Sequence, residues 1–460
     1  MTTPLRNRRI VVLGLGVTGL SAARWAAARG AHVTVLDTRA EPPHARELRA
    51  ELLGAKLVTG PITEAALADA ETIIISPGLR KDLPAVRATV ARGAELVGDV
   101  ELFARALPQG PRVIAITGSN GKTTVTALVT ELLRAAGLAA ESVGNIGVPV
   151  LDTLSAHERD GGWPDAFVVE LSSFQLETTA SLRAVAATVL NVTENHLDRY
   201  ASIVDYAAAK ARIFAGGGEQ VLNRDDVASL AMSIPGRTVQ TFGASVPQGE
   251  HEWGLVARNG ETWLARGGAL LVPMSALALV GRHNALNALA ALALCSAVTK
   301  IDRTLLAALS AFRGLPHRME RVAELGGVLF VNDSKGTTVA ATLAALEGIG
   351  RPSVLIAGGD GKGQNFAPLK AGVDAHCRAV VLLGRDAPVL AAALSGATPP
   401  IEQAASLETA VARAIARARR GDAVLLSPAC ASLDMFRDYT ERGDRFKAAI
   451  AAHAREATHA

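Results

Sequence analysis

Thr117-Gly118-Ser119-Asn120-Gly121-Lys122-Thr123-Thr124 follows the apolar run Val113 to Ile116 and precedes a helical stretch from about Val125 to Ala136. A glycine-rich turn between a strand and a helix wraps its backbone N–H groups around a phosphate. Lys122 then offers a point charge to the β and γ phosphates, and the Thr123 hydroxyl can bind Mg²⁺. Ile116 stands where the longer form of this loop has its first glycine, so this is the shorter G-x-x-G-K-T-T form. The expectation is an α/β domain that holds nucleoside triphosphate through Gly118, Ser119, Asn120, Gly121, Lys122, Thr123 and Thr124.

Downstream, the run Phe167-Val168-Val169 ends in Glu170, and a strand from Thr188 to Val192 runs into Asn191-Val-Thr-Glu-Asn-His196-Leu-Asp198. Residues just past the carboxyl ends of parallel strands line one crevice, so Glu170 and His196 are expected beside the phosphates. Magnesium prefers oxygen ligands; Glu170 is therefore the better metal candidate, and His196 is left between metal binding and proton transfer. Lys210 lies on an apolar helical stretch and, read alone, is a lysine whose stem snorkels along that surface.

Upstream, Gly14-Leu-Gly16-Val-Thr-Gly19 sits between the strand Arg9 to Leu13 and a helix, and Asp37 closes the next strand. This layout suits a diphosphate nucleotide: a dinucleotide or a nucleotide-sugar would use the same N–H donors and the same acid. Short runs at His32 to Leu36, Lys56 to Thr59 and Thr72 to Ser76 continue a parallel pattern. Pro108-Gln109-Gly110-Pro111 then breaks it. A third series, Val328 to Asn332, Ser353 to Ala357, Ala379 to Leu383 and Ala423 to Ser427, follows an Ala- and Leu-rich helical pair over 283–311. Three α/β domains are expected: 1–108 and 315–460 Rossmann-like, and 109–314 of the phosphate-loop ATPase type.

The chain has 460 residues, 49% hydrophobic and 20% charged, long enough for several cores and too apolar for disorder. Lys plus Arg (47) nearly balance Asp plus Glu (44), which gives no broad basic field for nucleic acid. Cys295, Cys377 and Cys430 are odd in number and scattered, supporting neither a disulfide framework nor a zinc cluster. No signal peptide or membrane span is read, and a cytoplasmic monomer is expected.

Together, Gly118 to Thr124, Glu170-Leu-Ser-Ser-Phe-Gln-Leu176, Asn191 to Asp198, Gly281-Arg-His-Asn284 with Asn287, and Gly314-Leu-Pro-His-Arg318 resemble the Mur ligases. With Asn332-Asp-Ser-Lys335, Gly358-Gly-Asp-Gly-Lys362 and Ser427 to Asp434, the resemblance is to the D-glutamate-adding branch, and it spans nearly the whole chain. It implies ATP-dependent joining of D-glutamate to UDP-N-acetylmuramoyl-L-alanine in peptidoglycan precursor synthesis, hence in cell-wall biogenesis, cell shape and division. Val17, Thr18, Asp37, Thr38, Arg39, Ser76, Asn145 and His196 match positions that hold the UDP-sugar. Asn287, Arg318 and Asp333 match ATP-contacting positions, and Lys335, Thr337, Lys362, Ser432, Leu433 and Tyr439 match the D-glutamate pocket. The family also carries a carbamylated lysine where Lys210 stands, which implies a catalytic set of Lys122, Glu170, His196 and Lys210. Thr123, Glu170 and Lys210 would then serve two Mg²⁺ ions. Thr338, Gly336 and Tyr439 depart from the family's usual Asn, Ala and Phe. No Asp-Asn-Pro-Arg stretch is present, which argues against the branch that adds a diamino acid.

The chemistry so implied is acyl-phosphate formation followed by amine attack. An NAD-dependent oxidoreductase would leave the Lys122 loop, Glu170 and Lys210 without a task. A module using ATP as a signal would bind nucleotide without amino-acid-dependent phosphate release, and a sister ligase would take another amino acid or a folate.

Overall fold

The computed structural model describes residues 5–193, 199–279 and 281–459. His196 lies outside the described residues. Three sheets follow one another along the chain. The first has the spatial order Lys56–Thr59, His32–Asp37, Arg9–Leu13, Thr72–Ile75, Glu95–Val97, with every pairing parallel. Its strands are nearly unbroken Val, Ile and Leu, as expected of strands covered on both faces.

In the second sheet the strand Arg112–Thr117 lies between Ala166–Glu170 and Ala186–Val189, parallel to both. Ala140–Gly144 flanks Ala166–Glu170, while Glu219–Asn223 and Val239–Phe242 extend the other side. Three further strands, Glu252–Arg258, Glu261–Arg266 and Ala269–Pro273, continue that edge. The first two meet at Asn259-Gly260, both at positive φ (52° and 78°), as a two-residue hairpin turn requires. The hairpin was absent from the sequence reading although its Asn-Gly signal was available.

The third sheet runs Glu320–Leu325, Val328–Asn332, Ala423–Leu426, Ser353–Gly358, Cys377–Leu383, Ile401–Gln403, parallel but for its first pair. The helical pair expected over 283–311 is Arg282–Ser296 and Arg303–Ala311. The three cysteines are unbridged. Among the described residues, no helix is long and apolar enough to cross a membrane.

Contacts divide the chain into two compact units: Met1–Leu255 with Ala265–Ala269 and Leu289–Leu305, and Val256–Leu264 with Leu270–Ala288 and Leu306–Ala460. In the first, one core joins the first two sheets. Val12 and Val35 from one and Phe167 and Val169 from the other belong to a single buried cluster. Phe103, on the helix Asp99–Ala106, meets Phe167 edge-on with ring centroids 5.4 Å apart. Glu101 of the same helix accepts from the backbone N–H groups of Ala180 (2.7 Å) and Ser181 (2.9 Å). These contacts set the strand ends of the first sheet beside those of the second. In the second unit the third sheet separates two apolar clusters, one around Leu355 and Leu382, the other around Ile356 and Phe446.

Candidate functional site

The helix after the glycine loop starts at Lys122, earlier than Val125, because Gly121 in the left-handed region ends the loop at once. Lys122, Thr123 and Thr124 thus form its first turn, where backbone N–H groups and the positive end of the helix dipole favour an anion. Asn191 pins the loop: its carbonyl accepts from Ser119 N–H (2.9 Å) and its side-chain oxygen from Asn120 N–H (2.8 Å). The Lys122 ammonium donates to the Gly118 and Ser119 carbonyls at 2.8 and 3.0 Å.

Glu170 ends the neighbouring strand, in register with Ile116. Its side chain is buried. One carboxylate oxygen accepts from the Asn145 amide at 2.8 Å; the other is buried and has no partner among the described residues. Gly144 makes this pairing possible. It stands at φ +105°, and a Cβ there would sit 2.2 Å from the Glu170 carbonyl, so any larger residue would push Asn145 away. A buried, unpartnered carboxylate oxygen is the donor that a hard cation would take. Among the described residues, no three His, Cys, Asp or Glu side chains form a metal-binding group. Magnesium at ATP sites commonly uses one or two protein carboxylates, with phosphates and water completing the shell.

Lys210 enters the same strand end from the helix Ile203–Ala211. It is 1% exposed, and its Nζ lies 2.9 Å from the Gly118 carbonyl, 3.5 Å from the Thr117 hydroxyl and 4.5 Å from the centre of the Tyr206 ring. The snorkelling reading therefore fails. Burial first, and the Lys122 charge second, push its amine down to about 6. That shift favours the neutral amine, which is a nucleophile.

Val17, Thr18, Asp37, Thr38, Arg39 and Ser76 from the first sheet and Asn145 from the second line one cleft of about 630 Å³, with Gly14, Gly16 and Gln175. Asp37 is 2% exposed. Its carboxylate accepts from Leu15 N–H (2.7 Å), Arg39 N–H (2.9 Å) and the Arg39 guanidinium (2.8 and 2.6 Å). The guanidinium above all holds this carboxyl well below the usual range.

The second unit carries the remaining residues. Asn287 lies on the helix Arg282–Ser296 and donates to the Asn284 side chain at 3.1 Å. Asp333 turns inward, accepting from the Ser427 hydroxyl (2.7 Å) and Met319 N–H (3.2 Å). Burial raises its carboxyl to about 7 against those bonds and the nearby charge of Arg318. Gly336 explains its own departure from alanine, for a Cβ there would lie 2.4 Å from an Asp333 carboxylate oxygen.

Lys335, Thr337, Lys362, Ser432 and Leu433 sit on loops beyond the carboxyl ends of three adjacent strands, Val328–Asn332, Ala423–Leu426 and Ser353–Gly358. The Asp360 and Ala431 backbones bridge two of these loops, and Ala429 N–H donates to the Gly336 carbonyl at 2.9 Å. The Gln364 amide reaches the carbonyls of Gly361 (3.1 Å), Thr337 (3.3 Å) and Ala429 (3.3 Å). Lys335 places its ammonium 3.8 Å from the centre of the Tyr439 ring. Gln364 and the buried Arg442 were missed in the sequence reading; neither stands in a motif that marks it.

Comparison with known proteins follows the same division. The Mur ligase middle domain matches residues 116–295, the Mur ligase MurD-like N-terminal domain residues 8–98, and the Mur ligase glutamate ligase domain residues 317–430. The chain is 53% identical over 446 residues to the UDP-N-acetylmuramoylalanine--D-glutamate ligase of Methylobacillus flagellatus, covering 97% of each. The enzyme of the same name from Thiobacillus denitrificans is 53% identical over 463 residues, 97% of this chain and 96% of that one. Among solved structures, UDP-N-acetylmuramate-alanine ligase MurC of Thermotoga maritima shares the fold, with a TM-score of 0.57 at 20% identity over 97% of this chain and 99% of that one.

Proposed function

This chain belongs to the Mur ligase family, and we propose that it joins D-glutamate to the L-alanine carboxylate of UDP-N-acetylmuramoyl-L-alanine, using ATP and releasing ADP and phosphate. One juxtaposition carries the reading. A phosphate-cradling loop, a buried carboxylate with an unpartnered oxygen, and a buried lysine meet at one strand end, in a chain whose near-full-length relatives bear the name of that ligase.

The L-alanine carboxylate attacks the γ-phosphorus and the bond to the β-phosphate oxygen breaks, giving an acyl phosphate and ADP. The D-glutamate amine then attacks the acyl carbon. The carbon–oxygen bond breaks, phosphate leaves, and the amine proton passes to a base. The obstacle is repulsion between an incoming carboxylate and an anionic phosphate chain. Lys122 and the first-turn N–H groups of its helix offset that charge, and Arg318 adds to them. Magnesium, held by the Thr123 hydroxyl and the free oxygen of Glu170, would supply further neutralisation.

In the same proposal the neutral Lys210 amine adds to CO₂ and releases a proton, becoming a carbamate that serves a second Mg²⁺. Asn145 orients Glu170 and also touches the sugar-side cleft, where Val17, Thr18, Asp37, Thr38, Arg39 and Ser76 hold the UDP part. Asn287, Arg318 and Asp333 serve ATP; Lys335, Thr337, Lys362, Ser432, Leu433 and Tyr439 serve D-glutamate. His196 is the candidate for the muramoyl contact or the amine proton, and a kcat–pH profile unchanged in His196→Ala removes it as base. Domain limits near 108 and 314, and action as a cytoplasmic monomer, complete the reading.

Phosphate release with ATP, Mg²⁺, UDP-N-acetylmuramoyl-L-alanine and a panel of amino acids tests it. Release is expected with D-glutamate and not with L-glutamate or diamino acids; equal release with other amino acids overturns the assignment.

A further inference from the structure

We propose that Arg442 is a positioning residue of the amino-acid pocket, whose buried guanidinium fixes the spacing of the loops that carry Lys335, Lys362 and Ser432. The inference rests on the pocket proposed above. Arg442 lies one turn after Tyr439 on the helix Tyr439–His459, and its side chain is 1% exposed. It touches no substrate-facing surface, so it acts through its neighbours.

The guanidinium presents its donors in one rigid plane, and two of its nitrogens reach two loops. Nε donates to the Ser334 hydroxyl at 3.0 Å. Nη2 donates to the Ser334 carbonyl at 2.8 Å and to the Cys430 carbonyl at 3.1 Å. Ser334 precedes Lys335, and Cys430 precedes Ser432 by two positions. The third nitrogen, Nη1, is buried with no hydrogen-bond partner among the described residues and lies near Gly359, where a Cβ would lie 3.3 Å from it and 2.2 Å from the Ala431 carbonyl. Glycine at φ +131° lets the loop that carries Lys362 pass this close.

The Ser334 hydroxyl passes the constraint on, donating to the Tyr439 carbonyl at 2.8 Å, and the Tyr439 ring in turn lies under Lys335. Among the described residues, no carboxylate lies within ion-pair distance of Arg442; Asp434 and Asp333 act on it only from farther away. A buried cation held by carbonyls is costly, and an apolar side chain would fill the volume more stably. What an apolar side chain cannot do is hydrogen-bond the Ser334 and Cys430 loops together, with the Gly359 loop packed against it, beneath the pocket proposed for D-glutamate.

Full-chain kinetics with Arg442→Lys and Ser334→Ala decide the matter. Lysine keeps the charge and loses the fork; alanine keeps Arg442 and removes one of its acceptors. The expected result is a KM for D-glutamate raised about tenfold or more in Arg442→Lys, and raised to a smaller extent in Ser334→Ala. KM values for ATP and the UDP-substrate should stay within about twofold, because only the pocket loops move. An unchanged KM for D-glutamate in folded Arg442→Lys, or an equal loss for all three substrates, overturns the inference. If Arg442→Lys does not fold, Ser334→Ala decides alone. Lys335→Ala and Lys362→Ala run beside them: if these leave the D-glutamate KM unchanged, the pocket reading itself falls, whereas a rise in these with none in Arg442→Lys defeats only the role of Arg442.

Discussion

Lys122 and Lys210 donate to the same acceptor, the carbonyl of Gly118, at 2.8 and 2.9 Å. Two ammonium groups on one carbonyl repel each other, and the one deprived of water yields its proton. That is Lys210, buried, with its amine at about 6. The pair thus divides the chemistry. In the proposed function Lys122 stays on the loop to meet phosphate, and Lys210 is held in the form that would accept CO₂.

On the proposed mechanism, removing the Lys122 charge leaves the developing negative charge at the γ-phosphate without a fixed cation of the loop. Lys122→Ala is expected to lower kcat on the order of 10²-fold or more, as losing a preorganised donor does elsewhere. Steady-state phosphate release checks this, and near-normal turnover contradicts it.

Lys210→Ala is expected to abolish most activity, because the proposed carbamate, and the second Mg²⁺ it would hold, are lost. Added short carboxylic acids such as acetate or propionate should restore part of it by occupying the vacated space. Absence of rescue across a concentration series counts against the carbamate.

Asp333 offers a test by pH. Its folded value near 7 lies above the unfolded value of about 3.9, so the folded chain binds the proton more tightly. The stability from this group is fully present below the unfolded value and is lost as pH rises through about 7. Asparagine stays neutral throughout. Asp333→Asn should therefore gain on the parent between pH 4 and pH 8, by about 2–4 °C in Tm for each kcal/mol recovered, while losing affinity for ATP. A Tm difference that does not change with pH refutes the assignment.

Asp37→Ala leaves Leu15 N–H and Arg39 without their shared acceptor. The KM for the UDP-substrate should rise about tenfold or more, with that for ATP within about twofold. If both rise together, the cleft on the first sheet does not hold the nucleotide-sugar alone.

Much of this was legible in the sequence because it is local. The strand before Gly118, the glycines of the loop, Glu170 at a strand end and the Gly14 turn each announce themselves within a few residues. Even Asp37, Arg39 and Ser76, which meet in one cleft, sit at ends of strands whose order a parallel pattern implies. Burial of Lys210 was not legible, since nothing in an Ala-rich helix says which face meets the Gly118 carbonyl. Nor was the task of Arg442, which depends on backbone carbonyls at Ser334 and Cys430 that are remote in sequence from it. The hairpin at Asn259-Gly260 is a different kind of omission, a local signal passed over.

The central claim is that the substrate carboxylate is phosphorylated in the Lys122 crevice. UDP-N-acetylmuramoyl-L-alanine labelled with ¹⁸O in the alanine carboxylate, turned over with ATP and D-glutamate, tests it through the ³¹P isotope shift of the released phosphate. Attack by that carboxylate on the γ-phosphorus predicts one ¹⁸O in each phosphate released from labelled substrate; phosphate free of the label contradicts the account.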